Sequence, residues 1–160
     1  MPHEKPWYED EVLPALLRHA RSAYGAAMRA GLARVGCDDV PKNGMWVIGG
    51  LAQGAPDVPL GVLVRDLGVS KQAAGQLVDT LVLRGYLERQ INPEDRRKLN
   101  VTLTERGRMA AAAQAAARKR VDAALLARVG AEKISHARAV LGALADMARK
   151  DEETSDHTPA

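Results

Sequence analysis

The sequence predicts a mainly α chain with one small β-hairpin, an α+β arrangement, on three observations. Apolar residues recur at the spacing of amphipathic helices over most of the length. Only two short stretches, Tyr86 to Ile91 and Leu99 to Leu103, read as strands, and the second alternates cleanly with Leu99, Val101 and Leu103 on one face. Glycines at 36, 68, 85 and 130 close successive helical stretches, because glycine reaches positive φ without a Cβ penalty.

The elements follow in order. Residues 1–7 read as a loose arm. Glu9, Asp10 and Glu11 suit the first turn of a helix that runs to about Val35, with Val12, Leu13, Leu16, Leu17, Tyr24, Met28 and Leu32 as its apolar positions. Pro14 is tolerated only near a helix start, so this helix begins late or bends. A second helix is expected from about Pro41 to Leu51, through Met45, Val47, Ile48 and Leu51. Leu60, Leu63, Val64 and Leu67 then make a short apolar stripe that Gly68 stops, and Ser70 is placed to cap the next helix. That helix puts Ala74, Leu77, Val78 and Leu81 on one side and Lys71, Gln72, Gly75, Gln76 and Asp79 on the other. Gly85 ends it. After the strands, Thr104 caps a long alanine-rich helix through Met109 to Ala127. A last helix from about Ala131 to Lys150 carries Ile134, Ala137, Val140, Leu141, Leu144 and Met147 on one stripe. The acidic end, 151–160, lacks apolar periodicity and is expected to be disordered.

At 160 residues one domain is expected over 1–160, burying roughly 70% of its unfolded surface without staples. Aromatic residues are 3% and phenylalanine is absent, so the core has to be aliphatic. The formal charge of +3 and the pI near 9.2 permit a nucleic-acid partner without requiring one. Cys37 is the only cysteine, which excludes an intrachain disulfide and fits a reducing cytoplasm. No apolar run reaches the length of a membrane span, and the start lacks the apolar core of a signal peptide, so a cytoplasmic protein with no membrane partner is expected.

Two short helices joined by a glycine turn form a helix-turn-helix, whose second helix can enter a DNA major groove. The hairpin that follows sharpens this. Asn92-Pro93 opens a turn, and Asp95 is followed by the three cations Arg96, Arg97 and Lys98 at the tip. A cation-tipped hairpin beside a helix-turn-helix is a wing that can reach phosphates or a minor groove. The candidate DNA-binding residues are therefore Ser70, Lys71, Gln72, Gly75, Gln76, Asp95, Arg96, Arg97 and Lys98. Lys71 suits phosphate or guanine, Gln72 or Gln76 can pair bidentately with adenine, and Arg97 is the candidate for the groove, oriented by Asp95. Arg96 and Lys98 are left for phosphates.

The run from Arg84 to Gly107 closely resembles the winged-helix core of the MarR (multiple-antibiotic-resistance regulator) family. That family's wing has Asp-x-Arg before a strand ending in Leu-Thr-x-x-Gly, and this chain has Asp95-Arg96-Arg97 and Leu103-Thr104-Glu105-Arg106-Gly107. Many family members have Thr-Arg where this chain has Gly75-Gln76. The resemblance implies a winged helix-turn-helix over 58–107, flanked by N-terminal helices over 8–57 and C-terminal dimerisation helices over 108–150. It implies a homodimer on double-stranded DNA, and a ligand-responsive repressor of a pseudo-palindromic operator. It also implies a pocket for a small-molecule effector, with His19 and Trp46 as lining candidates. The low aromatic content argues against strong stacking of a flat phenolic ligand there.

The alternative is a winged-helix protein-interaction module without sequence-specific DNA binding, for which Gly75-Gln76 is the best support. An enzyme is not expected, because no phosphate loop, nucleophile elbow or paired-carboxylate motif is present. Neither metal nor cofactor is expected, because His3, His19, His136 and His157 are scattered without ligand spacing. Cys37, beside Asp38 and Asp39, reads as a structural residue rather than an oxidant sensor. Arg118, Lys119 and Arg120 read as the solvated side of a helix.

Overall fold

The structure, a computed structural model, describes residues 5–54, 58–59, 70–97 and 99–155. The chain divides into two compact units, Met1–Lys119 and Arg120–Ala160. The sequence reading expects one domain. The difference arises in the long helix that follows the hairpin, whose buried residues Gly107, Ala110, Ala111, Gln114 and Ala117 all fall before the division.

In the first unit, a 3-10 turn at Trp7–Glu9 precedes helix α1, Leu13–Arg34. Pro14 decides the start, since proline fits only where no intrahelical N–H is needed. The three acids at 9–11 therefore stand outside α1, contrary to the expectation that they form its first turn. Gly36 ends it at φ 70°. Helix α2 spans Gly44–Gln53. A two-residue strand β1, Val58–Pro59, follows. The short helix expected at Leu60 to Leu67, with Gly68, lies outside the described residues. Helix α3 spans Lys71–Leu83 and ends at Gly85, φ 74°. Strands β2, Leu87–Ile91, and β3, Leu99–Leu103, form the hairpin, pairing antiparallel from Leu87↔Leu103 to Ile91↔Leu99. Strand β1 adds to the other side of β3 through Val58↔Val101 and Pro59↔Asn100, giving the order β1-β3-β2. The sequence reading does not anticipate β1: two residues are too few to alternate, and proline is tolerated at such an edge.

The core is aliphatic, as the composition requires. Met28 and Leu32 of α1, Met45, Val47 and Ile48 of α2, Val78 and Leu81 of α3, and Leu87 and Val101 of the sheet are all nearly or wholly buried. Tyr86 is the one large aromatic among them. Trp7, by contrast, is 65% exposed and stacks edge-on against Tyr8 and His19.

Helix α4, Glu105–Val129, carries the chain into the second unit, and Gly130 at φ 82° separates it from helix α5, Ala131–Ser155. The expected disorder from residue 151 is corrected: the helix continues through Asp151–Ser155, a run with two glutamates and no helix breaker. Residues 156–160 lie outside the described residues. The apolar stripe of α5 is uncovered. Val140, Leu141, Leu144 and Met147 are 48–64% exposed, and only Ile134 is half-buried.

Gly107 explains the spacing of the Leu-Thr-x-x-Gly run. Thr104 Oγ1 accepts the Gly107 amide at 3.0 Å, and a Cβ at Gly107 would stand 2.1 Å from the Tyr86 carbonyl oxygen. Gly107→Ala is expected to lower the unfolding free energy by about 3 kcal/mol, since main chain has to move. Gly75→Ala, where an added Cβ meets no described residue within 4 Å, is expected to raise it by about 0.5–1 kcal/mol through helix propensity. Urea unfolding midpoints of the two variants check both signs.

Candidate nucleic-acid interface

The N-terminus of α3 is built by Ser70, whose Oγ accepts the Ala73 amide at 3.2 Å. With that cap in place, Ala74, Val78 and Leu81 face the core, and Ser70, Lys71, Gln72 and Gln76 are exposed on the outer side. Gly75 sits among them, and a Cβ added there would meet no described residue within 4 Å. Thr80 Oγ1 donates to the Gln76 carbonyl at 2.8 Å, the helix binding its own hydroxyl. The helix is tied to the hairpin by an ion pair between Arg89 on β2 and Asp79 on α3. Arg89 stands opposite Val101 in the ladder, on the sheet face turned to α3. The sequence reading places Asp79 on the outer side of the helix without identifying this partner.

The wing tip is organised by Asn92. Its Oδ1 accepts the amides of Glu94 at 2.8 Å and Asp95 at 3.2 Å, and its Nδ2 donates to Oδ1 of the buried Asn100 at 3.2 Å. Asp95 Oδ1 accepts the main-chain amide of Arg97 at 3.1 Å. Its bond to Arg97 is to the backbone, and it shapes the turn. This corrects the expectation that Asp95 orients the Arg97 side chain directly. Arg96 and Arg97 are exposed, and neither side chain is in an ion pair among the described residues. Lys98 lies outside the described residues. Ile91 and Leu99, paired across the hairpin, are 65% and 47% exposed.

Beneath the hairpin lies a junction that the sequence reading does not contain. Tyr86 is fully buried, and its hydroxyl donates to Asp39 in the loop between α1 and α2. Arg106, from the first turn of α4, stacks on the Tyr86 ring with its guanidinium carbon 4.5 Å from the centroid. The same guanidinium pairs with Asp39 at 3.1 Å and donates to the Arg84 carbonyl at 2.8 Å. Arg84 in turn donates to the Asp39 carbonyl. The Tyr86 hydrogen bond, then the charges of Arg106 and Arg84, hold the Asp39 carboxyl below the usual carboxylate range. Burial, and then the bond to Asp39, push the Tyr86 phenol well above its ordinary value. Cys37 is wholly buried in the same region, with its thiol directed to the Val35 carbonyl at 3.8 Å.

His19 and Trp46 line one cavity of about 550 Å³, together with Arg18, Arg21, Arg29 and Lys42. The Arg21 guanidinium lies 4.7 Å from the Trp46 ring centroid.

Residues 42–98 match the MarR family model. The chain is similar in fold to wild-type MarR from E. coli in its apo form, at 20% identity and a TM-score of 0.64, with 84% of this chain and 97% of that chain covered. It is similar to a second MarR structure at 18% identity and a TM-score of 0.73, covering 95% and 99%. A probable transcriptional regulator from Pseudomonas aeruginosa is 25% identical, with a TM-score of 0.65 and coverage of 84% and 98%. No curated protein matches the chain.

The Asp39 junction sets a pH dependence. A carboxyl held below its ordinary value contributes stability above that value and loses it as the pH falls through the lowered one. Asp39→Asn is expected to be less stable than the parent at neutral pH. Its stability should then fall less than the parent's between about pH 5 and about pH 2. Urea midpoints across that range check it: parallel curves for the two proteins would contradict the assignment.

Proposed function

The chain carries the MarR-family match over residues 42–98 and the family's fold over most of its length, and from this we propose that it is a DNA-binding transcriptional regulator acting in the cytoplasm as a homodimer. The observation that carries the reading is the Asp79–Arg89 ion pair joining α3 to the base of the wing, with exposed cations left on both. Lys71, Arg96 and Arg97 enter no ion pair among the described residues, so their charge is available to phosphates. Gln72 and Gln76 offer the amide fork that matches adenine in the major groove, and Arg97 is assigned to the groove beside it. Ser70 and Gly75 let the backbone approach, Asp95 shapes the tip, and Arg96 with Lys98 takes phosphates.

The uncovered stripe of α5 supports the dimer. Val140, Leu141, Leu144 and Met147 would be covered by the same stripe of a second copy across a twofold axis. Two copies of α3 would then meet DNA about 34 Å apart, on a pseudo-palindromic site. Repression follows from occupying a promoter, and release from a small effector that binds one spacing of the two helices better than the other.

Fluorescence anisotropy on a DNA fragment selected from a random pool, repeated over a salt series, tests the reading. Lys71→Ala and Arg97→Ala should each weaken binding and reduce the slope of log affinity against log salt by about 1. Gln72→Ala should narrow the gap between the selected site and a scrambled one by about 1–3 kcal/mol. Unchanged affinity in the triple variant of Lys71, Arg96 and Arg97 would remove DNA from this surface and leave a protein-interaction module.

A further inference from the structure

Helix α1, Leu13–Arg34, holds four arginines in 22 residues and not one aspartate or glutamate. Three of them, Arg18, Arg21 and Arg29, recur on one face of the helix and line the cavity of about 550 Å³ already described. Lys42, from the segment before α2, adds a fourth cation from the other wall. Among the described residues the lining contains no carboxylate, and none of these four cations is in an ion pair. An ordinary solvated helix face mixes signs, because like charges one turn apart repel. Other cations of the chain do find partners: Lys5 has Asp10, Arg89 has Asp79 and Arg106 has Asp39. The arrangement is also partly fixed in place. Arg21 is held over the Trp46 ring at 4.7 Å, and Arg29 lies back along the helix so that its Nη1 is 3.5 Å from where a Cβ on Gly25 would be.

We propose that this cavity binds a small non-aromatic polyanion carrying two or more phosphate or carboxylate groups. Guanidinium forks match such groups with paired, charge-assisted hydrogen bonds, and Arg18, Arg21 and Arg29 present three forks to one space. Arg21 already occupies a face of Trp46, so the site offers charge rather than a ring to stack on. The inference deepens the effector reading by naming the ligand class. Only its consequence for DNA depends on the regulator reading; the binding itself does not.

The test uses the full chain with Trp7→Phe, which leaves Trp46 as the sole tryptophan. Its fluorescence is titrated with tripolyphosphate, with citrate and with the single-charged aromatic benzoate. A saturable change is expected with tripolyphosphate or citrate, at least about ten-fold tighter than with benzoate and weakened by salt. The stronger of the two arms separates phosphate from carboxylate recognition. Arg18→Gln and Arg29→Gln should each weaken it about ten-fold without changing the circular dichroism spectrum, while Lys119→Gln, outside the cavity, leaves it unchanged. Arg97→Ala, which tests the DNA surface, should bind the anion as the parent does, so failure of one reading is distinguishable from failure of the other. The proposal is overturned by the absence of a saturable response to both polyanions, by benzoate binding as tightly, or by a response indifferent to Arg18→Gln and Arg29→Gln. It is equally overturned if those two substitutions lower DNA affinity with no anion present, because the cations then belong to the duplex.

Discussion

Tyr86 is the residue on which the hairpin and its surroundings depend. Its main chain and its side chain each hold a different element. The carbonyl accepts the Thr104 amide at 3.1 Å, and Gly107 packs so closely on it that no side chain fits between. The ring is buried beneath Arg106, and the hydroxyl reaches Asp39 in the loop after α1. Three parts of the chain distant in sequence thus share one small volume: the end of α3, the start of α4, and the α1–α2 loop. Burying a phenol is costly unless its hydroxyl is bonded, and a carboxylate acceptor flanked by two guanidinium groups satisfies it fully. Removing any member leaves another buried or half-buried polar group without its partner, which is why the cluster acts as a unit.

The same junction gives the Leu103 to Gly107 run a physical meaning. Thr104 is needed because its hydroxyl closes the first turn of α4. Glycine is needed three residues later because the Tyr86 carbonyl occupies the space of a Cβ. The two positions are coupled by the 3.6-residue turn, which brings the cap and the close approach to the same side of α4. The wing has an equivalent logic. Asn92 and Asp95 spend their side-chain oxygens on backbone amides, so the tip keeps its shape while Arg96 and Arg97 stay exposed.

Local signals were legible in the sequence and contacts across long separations were not. Ser70, Thr104, and the glycines at 36, 85 and 130 act within a few residues of themselves, and the sequence places each where the structure has it. The start of α1 was readable only through Pro14, whose missing amide outweighs the attraction of three acids to a helix dipole. Tyr86 and Arg106 lie 47 and 67 residues from Asp39 along the chain, and each alone looks like an ordinary loop or helix residue. Of the candidate DNA residues, Lys71, Gln72 and Gln76 were legible from helical phase, whereas the Asp79–Arg89 tie required the register of the hairpin. Arg18, Arg21 and Arg29 share one helix face, but Lys42 and Trp46, which line the same cavity, come from a later segment that helical phase does not bring to them.

That second wall bears on how the cavity and α3 are connected. Lys42 and Trp46 flank Gly44, the first residue of α2. A Cβ at Gly44 would come within 3.0 Å of Leu81 Cδ2 on α3 and 3.2 Å of Pro41 Cδ, so the start of α2 packs on α3 without slack. Leu81 is wholly buried, which leaves α3 no room to absorb a displacement locally. The preceding loop is anchored at Asp39 to Tyr86, Arg84 and Arg106, so movement at Lys42 meets resistance on that side too. One turn of α2 therefore faces the cations of the cavity and, on its other side, the helix that presents Lys71, Gln72 and Gln76. Contiguity alone transmits nothing. An anion would alter the DNA-facing helix only to the extent that it binds one packing of α2 against Leu81 better than another, and a ten-fold preference corresponds to about 1.4 kcal/mol.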